Sequence, residues 1–251
     1  MHAAKKCLLK AVVQWFAQLQ SKQMPEALKE KMAMILKILR LTLHSDAPMR
    51  GDAAKLRGFF ATSFNEHALL HQHVTDKLIY KYPLIQYKML EGSPLVLGIN
   101  EGAEILKEIY DKFDEIKLGE SKYRIMERGV TLKSEEFGCC EEIHSYRFAT
   151  PWLALSQDNY PKYLNANREE RKDLLRRILV GNILSASKGL GYVAKEHIRL
   201  EAGRMQDEIC LLKGTKVTGI RGEFTTTFAI PDLLGLGKSV SRGYGAVTKL
   251  K

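Results

Sequence analysis

The apolar positions divide the chain into segments of helical period and segments that alternate every second residue. Over residues 3–20, Leu8, Leu9, Val12, Val13, Phe16 and Leu19 fall on one helical stripe. Pro25 suits the first turn of a second helix, with Leu28, Met32, Ile35 and Leu36 on its inner face. The period then changes: Leu39, Leu41 and Leu43 alternate with Arg40, Thr42 and His44, a strand pattern. A helix over 52–64 presents Leu56, Phe59, Phe60 and Phe64 on one face. Strand patterns at 78–90 and 94–99 flank the turn Glu91-Gly92-Ser93-Pro94. A helix at 101–113 turns Ile105, Leu106 and Ile109 inward, and short strands near 115–118 and 122–132 follow. The order β-α-β-β-α-β is the ferredoxin-like arrangement.

The polar, acidic stretch 134–142 reads as a domain boundary. Beyond it, Tyr146 to Leu155 reads as a strand interrupted at Pro151. A helix spans about 168–186, with Leu174, Leu175, Ile178, Leu179 and Ile183 buried and Arg171, Lys172, Arg176 and Arg177 outside. Strands near 191–199, 206–221 and 223–230, a glycine-rich segment 235–245 and a last strand 246–250 close the chain. This half repeats the topology of the first with one helix degraded or replaced. The expected fold is α+β: two tandem ferredoxin-like (RRM-like) domains, 38–135 and 136–251, behind an N-terminal helical extension of residues 1–37.

The bulk composition is that of an ordinary globular protein. The chain has 251 residues, 45% of them hydrophobic and 27% charged, which excludes a wholly disordered, collagen-like or coiled-coil chain. No apolar run approaches the ~18 residues of a membrane helix. Lys5 and Lys6 precede an apolar stretch, but Gln14, Gln18 and Gln20 interrupt it and no small-residue cleavage site follows, so the expected location is the cytoplasm. Cys7, Cys139, Cys140 and Cys210 form no C-x-x-C pair and are expected to be reduced, without a structural zinc.

Charge changes this picture more than composition does. The net charge is +10, and it sits at the ends: residues 1–40 carry eight basic and two acidic groups, residues 211–251 seven and two. Such an excess suits a polyanion such as nucleic acid, although a merely solvated basic face has the same composition.

Three features carry candidate chemistry. The first is the stretch from Gly235 to Gly245, which holds Gly235, Gly237, Gly243 and Gly245 with Lys238, Ser239, Ser241 and Arg242. A Walker-type phosphate loop needs glycine at 232, where Asp232 stands, and a dinucleotide fingerprint needs it at 240, where Val240 stands. A G-x-G-x5-G-x-G pattern remains. Its glycines permit close backbone approach, and its amides and cations suit phosphate oxygens; a tight turn needing only positive φ has the same pattern. The second is the cluster His67, His71 and His73. It fails the H-E-x-x-H zinc motif because Ala68 replaces the glutamate. Two imidazoles with pKa near 6.5 suit general acid–base work, one neutral and one protonated near neutrality. The third is the basic face of helix 168–186. There Arg168, Arg171, Lys172, Arg176 and Arg177 alternate with Glu169, Glu170 and Asp173, so i,i+4 pairing on a solvated face competes with a nucleic-acid grip.

Several runs then carry a resemblance. The glycine-rich stretch following Leu233-Leu234 is similar to the closing loop of the CRISPR-associated repeat-RNA endoribonucleases, the Cas-six family. The runs Leu56-Arg57-Gly58-Phe59-Phe60-Ala61, Leu69-Leu70-His71-Gln72-His73, Tyr82-Pro83-Leu84-Ile85-Gln86-Tyr87-Lys88 and Gly98-Ile99-Asn100-Glu101-Gly102 resemble its archaeal b-type branch. So do Phe148 to Leu155, Gly181 to Leu184 and Lys188 to Gly191, and the resemblance covers about residues 38–251. It implies two ferredoxin-like domains and cofactor-free, metal-independent cleavage of precursor CRISPR RNA within each repeat. The implied products are a 2′,3′-cyclic phosphate and a 5′-hydroxyl. It further implies His71, His73 and Tyr80 as catalytic residues. RNA binding is expected at the loop residues Gly235, Gly237, Lys238, Ser239, Ser241, Arg242, Gly243 and Gly245, and at Arg171 and Arg176. Ser63 departs from the family, which carries a basic residue there. Precursor CRISPR RNA is the expected partner, with an interference complex and a second copy of the chain as further candidates. Competing readings are a catalytically silent RNA holder, a zinc nuclease using His67, His71 and His73, and a ferredoxin-like interaction module outside CRISPR biology.

Overall fold

The computed structural model describes residues 33–71 and 82–250. The first half contributes β1 (Met34–Ser45), α1 (Ala53–Ser63), the single turn α2 (Ala68–His71), β2 (Ile85–Leu90), β3 (Ser93–Ile99), α3 (Glu101–Ile109), β4 (Glu115–Leu118) and β5 (Ser121–Phe148). The second contributes α4 (Asn159–Asn165), α5 (Arg168–Leu190), β6 (Leu200–Leu212), β7 (Thr215–Ala229), a 3-10 turn Val240–Arg242 and β8 (Val247–Lys249). The hydrogen-bonded order β2-β3-β1-β5 is one antiparallel ferredoxin-like sheet; β6-β7-β5, with β8 on the other side of β5, is the second. In the second unit the Gly235–Gly245 loop occupies the place of the second crossover helix.

The 28-residue β5 belongs to both sheets. Its residues 125–137 pair with β1 and residues 138–147 pair with β7, with a register shift between Cys139 and His144. The acidic stretch 134–142, read from sequence as a boundary, therefore lies inside one strand. Its polarity has a local cause: the Glu135 carboxylate accepts from Arg40 Nη2 at 2.5 Å and from the Asp232 amide at 3.0 Å.

Residues 34–37 are strand rather than the end of a helix. β1 is buried on both faces, Leu36 and Ile38 toward one core and Leu39, Leu41 and Leu43 toward the other. A strand covered on both sides has an unbroken apolar run, which sequence spacing alone does not separate from a helix. Residues 1–32 of the expected extension lie outside the described residues. Residues 191–199 form no strand; β6 begins at Leu200, and the expected runs 206–221 and 223–230 are the second half of β6 and all of β7, joined at Lys213-Gly214. β5 ends at Phe148, after which Trp152 pairs with Ile220 through an isolated bridge.

One core lies between the first sheet and α1 and α3, built on Leu41, Leu56, Phe60, Tyr87, Val96, Leu106 and Ile116. The other joins the opposite face of that sheet to the second unit, through Leu97, Ile99, Phe137, Trp152, Leu179, Phe228, Leu234 and Leu236. Local caps fix the helices. The Asp52 carboxylate accepts from the Lys55 amide at 2.8 Å to start α1, and a reciprocal Asn167–Glu170 capping box starts α5. Gly191, at φ 82°, ends α5 in the left-handed region. Cys139, Cys140 and Cys210 are free thiols. Among the described residues no helix is long and apolar enough to cross a membrane.

Candidate functional site

The histidine run hangs from the end of α1. Phe60 and Phe64 bury one face of that helix against Tyr87 and Phe113, with ring centroids 5.4 to 6.1 Å apart. The chain then turns sharply: the His67 amide donates to the Phe64 carbonyl at 3.2 Å, and the Leu70 amide to the His67 carbonyl at 3.0 Å. Leu70 is buried and anchors α2, which ends at His71. His67 faces carboxylates, with Nε2 3.7 Å from Glu66 and 3.8 Å from Glu108 on α3. Its ring is thus engaged between its own turn and α3. His73, Lys77 and Tyr80 fall outside the described residues, as does the side chain of His71. Among the described residues no group of three His, Cys, Asp or Glu side chains is placed to hold a metal.

The glycine loop is a folded unit. Leu234, Leu236, Val240 and Ala246 are buried beneath it. Its two legs are joined by the Leu236 amide donating to the Gly245 carbonyl at 2.8 Å, and the Gly245 amide donates to the Pro151 carbonyl at 2.8 Å. Gly245 has φ +69°, and a β-carbon there would stand 1.9 Å from the Leu236 carbonyl oxygen, so only glycine fits. The amides of Gly235, Leu236, Arg242, Gly243, Gly245 and Ala246 are spent within the protein. The tip of the loop is Gly237 to Ser239, where Lys238 is exposed between two half-buried neighbours. Lys238 is exposed at this tip, its ammonium donating to the Leu155 carbonyl at 3.0 Å; Arg242 is half-buried and Ser241 buried.

A buried polar network supports the loop from β2, and sequence reading passed over it. Gln86 Oε1 accepts from the Gly235 amide at 3.0 Å and from Lys88 Nζ at 3.1 Å. Gln86 Nε2 donates to the Tyr82 hydroxyl at 3.0 Å, which itself donates to the Gly235 carbonyl at 2.6 Å. Lys88 is 0% exposed; burial first, and the charge of Arg40 second, push its ammonium down to about 7. Burial likewise raises the Tyr82 phenol. The signal was present as polar residues at alternate strand positions, Gln86 and Lys88, but a period-2 pattern assigns that face to solvent. A second tie fixes the approach to the loop: Arg40 Nη2 donates to the Asp232 carbonyl at 3.0 Å, and Asp232 Oδ1 accepts from the Thr248 hydroxyl at 2.5 Å.

The structure does not gather Arg171 and Arg176 with the loop residues into one set of free cations. Arg171 closes the α4–α5 turn. Its Nε donates to the carbonyls of Tyr163 at 2.8 Å and Ala166 at 3.0 Å, its Nη2 donates to Leu164 at 3.0 Å, and its guanidinium lies 4.8 Å from the Tyr163 ring centroid. Arg176 is paired with Asp173 at 2.7 Å, and Arg177 with the same carboxylate at 3.1 Å. A groove of about 640 Å³ beside this helix end is lined by Arg168, Lys172 and Arg204 among others. Another, of about 780 Å³, runs between α1 and the loop and is lined by Asp52, Arg147, Arg221, Arg242 and Tyr244 among others.

Comparison with known proteins covers both halves. A model of the Cas6b N-terminal domain matches residues 34–136, and one of the Cas6b C-terminal domain matches residues 138–250. A crystal structure of Cas6b is 35% identical and superposes with a TM-score of 0.79, over 86% of this chain and all of that one. A crystal structure of a CRISPR RNA processing endoribonuclease Cas6b is 33% identical with a TM-score of 0.70, over the same shares. An uncharacterized protein of Methanocaldococcus jannaschii is 39% identical over 144 residues, 57% of this chain and 98% of that protein.

Proposed function

The chain belongs to the Cas6b family, and from that premise we propose that it is a metal-independent endoribonuclease that cuts precursor CRISPR RNA within its repeats. The observation carrying this reading is its 33% identity to a CRISPR RNA processing endoribonuclease along that protein's whole length. Cleavage beside a ribose 2′-hydroxyl needs a base to take that proton and an acid to protonate the leaving 5′-oxygen. His71 and His73 fill these two roles, and Tyr80 is the third proton-carrying group. The 2′-oxygen attacks phosphorus as the bond to the 5′-oxygen breaks, so the products are a 2′,3′-cyclic phosphate and a 5′-hydroxyl. The dianionic phosphorane-like transition state requires positive charge, for which Lys238, Arg242 and Lys77 are the candidates. Nothing in this sequence of steps calls for a Lewis acid.

The repeat RNA is the proposed partner, gripped by the loop tip around the exposed Lys238 and by Arg242. Binding should fall with salt at a log–log slope of roughly 0.7 per neutralised phosphate of a single strand. The test is cleavage of a labelled CRISPR repeat RNA in excess EDTA, with the product ends identified. Expected are a cyclic phosphate, no cutting of RNA with deoxyribose at the scissile position, and no cutting by the His71→Ala/His73→Ala variant, which still binds. Cutting abolished by EDTA, or undiminished in the double variant, would overturn the assignment.

A further inference from the structure

We propose that the Tyr82 hydroxyl is a positioning group for RNA cleavage: it fastens the chain segment that carries Tyr80 to the foot of the glycine loop, so that the proton-transfer groups and the bound RNA keep one register. This rests on the function proposed above. The hydroxyl donates to the Gly235 carbonyl at 2.6 Å, across 153 residues of sequence. Tyr80 stands two residues before one end of this bond, and Gly237, the first residue of the loop tip, two residues after the other. Two residues of fully extended chain reach about 7 Å. One side chain thus closes a short bridge from the segment holding a proposed proton-transfer group to the glycines proposed to meet RNA.

Both ends of the bridge are fixed. On the Tyr82 side, a β-carbon on Gly189 of α5 would lie 2.3 Å from the Tyr82 β-carbon, so glycine there lets the helix pack directly on this residue. Gln86 Nε2 donates to the Tyr82 oxygen at 3.0 Å and to the Pro83 carbonyl at 3.2 Å, which leaves the phenolic hydrogen for Gly235. Burial raises the phenol above its ordinary pKa, so the donor is retained. On the loop side, Gln86 Oε1 holds the Gly235 amide at 3.0 Å, and a β-carbon on Gly235 would lie 2.3 Å from Val240 Cγ1. The amide and the carbonyl of one glycine are therefore both bonded to side chains four residues apart in sequence. Phenylalanine at position 82 would fill the same space against Gly189, so the hydroxyl adds direction rather than bulk. Direction matters to this reaction, because a displacement of about 1 Å between reacting groups costs up to about 10²-fold in rate.

The experiment compares the whole chain as wild type, Tyr82→Phe, Gln86→Glu, the double variant and Tyr163→Phe. It reads single-turnover cutting of repeat RNA at saturating enzyme, affinity for the same RNA with deoxyribose at the scissile position, and a thermal melt. Tyr82→Phe removes one oxygen. Gln86→Glu keeps an acceptor for the Gly235 amide and Lys88, but replaces the Nε2 donor with a second acceptor that draws the Tyr82 hydrogen off Gly235. Each should cut about tenfold more slowly, while affinity changes by less than about threefold because the hydroxyl faces inward. The double variant should be no slower than the slower single one, since both remove the same bond. Tyr163→Phe loses a 2.5 Å bond to Asp207 in the second unit; it should lower the melt by about 2 to 4 °C, as Tyr82→Phe does, and cut at the wild-type rate. Unchanged cutting by Tyr82→Phe, a cutting loss matched by an equal loss of affinity, rates that multiply in the double variant, or equal slowing in Tyr163→Phe overturns the proposal. Should Tyr82→Phe fail to fold, Gln86→Glu carries the same test: slowed cutting with affinity kept supports the role, and wild-type cutting overturns it. Wild-type protein that neither binds nor cuts the repeat removes the functional reading itself; wild-type cutting with an indifferent Tyr82→Phe removes the positioning role alone.

Discussion

Lys88→Met should stabilise the protein, most strongly below neutrality. Lys88 is 0% exposed, and its ammonium titrates near about 7 rather than 10.5 because burial disfavours the charge. At about 1.4 kcal/mol per pH unit, holding the proton in the folded state costs on the order of 5 kcal/mol below pH 7. Above pH 7 the folded lysine gives up its proton while the unfolded one keeps it to about 10.5. The unfolded state then binds more protons, so wild-type stability rises with pH through this window. Methionine fills similar volume without charge. Gln86 Oε1 keeps the Gly235 amide at 3.0 Å, so the substitution orphans no acceptor. The loss of one hydrogen bond subtracts about 1 kcal/mol. The expected gain is several kcal/mol near pH 6, shrinking by roughly 3 kcal/mol by pH 9. Urea unfolding of both proteins at a series of pH values, read as a difference, isolates this residue from other titrating groups. A variant less stable at every pH, or a difference that does not change with pH, would refute the reasoning.

Two further substitutions separate support of the site from contact with RNA. Gly245→Ala places a β-carbon 1.9 Å from the Leu236 carbonyl at φ +69°, and should cost about 2 to 4 kcal/mol by chemical denaturation while weakening RNA binding; full stability would show that the loop relaxes freely. Arg171→Ala strips the Tyr163, Leu164 and Ala166 carbonyls of their donor and should lower stability by about 1 to 3 kcal/mol with little change in the salt slope of binding. A reduced slope at unchanged stability would return Arg171 to the RNA interface.

Much of the architecture was legible along the chain because local physics wrote it there. The 3.6-residue stripe of Leu56, Phe60 and Phe64, the Asp52 and Asn167 caps and the alternation at Leu39, Leu41 and Leu43 each state an element within a few residues of itself. The tandem ferredoxin-like order followed from those elements, and the resemblance carried by the runs from Leu56 to Lys88 and by the closing glycines pointed to the same fold. The Gly-x-Gly pattern announced a loop that demands glycine, and Gly245 against Leu236 is such a place.

What required the tertiary structure was every relation between distant residues. The strand β5 serves two sheets, and its changeover from β1 to β7 between Phe137 and Gly138 falls inside the acidic stretch, so the boundary is a continuous strand in which Glu135 also ties Arg40 and Asp232. Gln86 and Lys88 look like a solvent face in a one-dimensional pattern, yet the loop from Gly235 covers them. Arg171 and Arg176 looked equally available on a helix wheel, but carbonyls eight or fewer residues away occupy the first and Asp173 the second. The Gly235–Gly245 loop meets α1 only in three dimensions, where Gly243 packs on Ala53. Periodicity reports whether a face is buried; which chain end covers it, and with what charge, is set by packing between segments far apart in sequence.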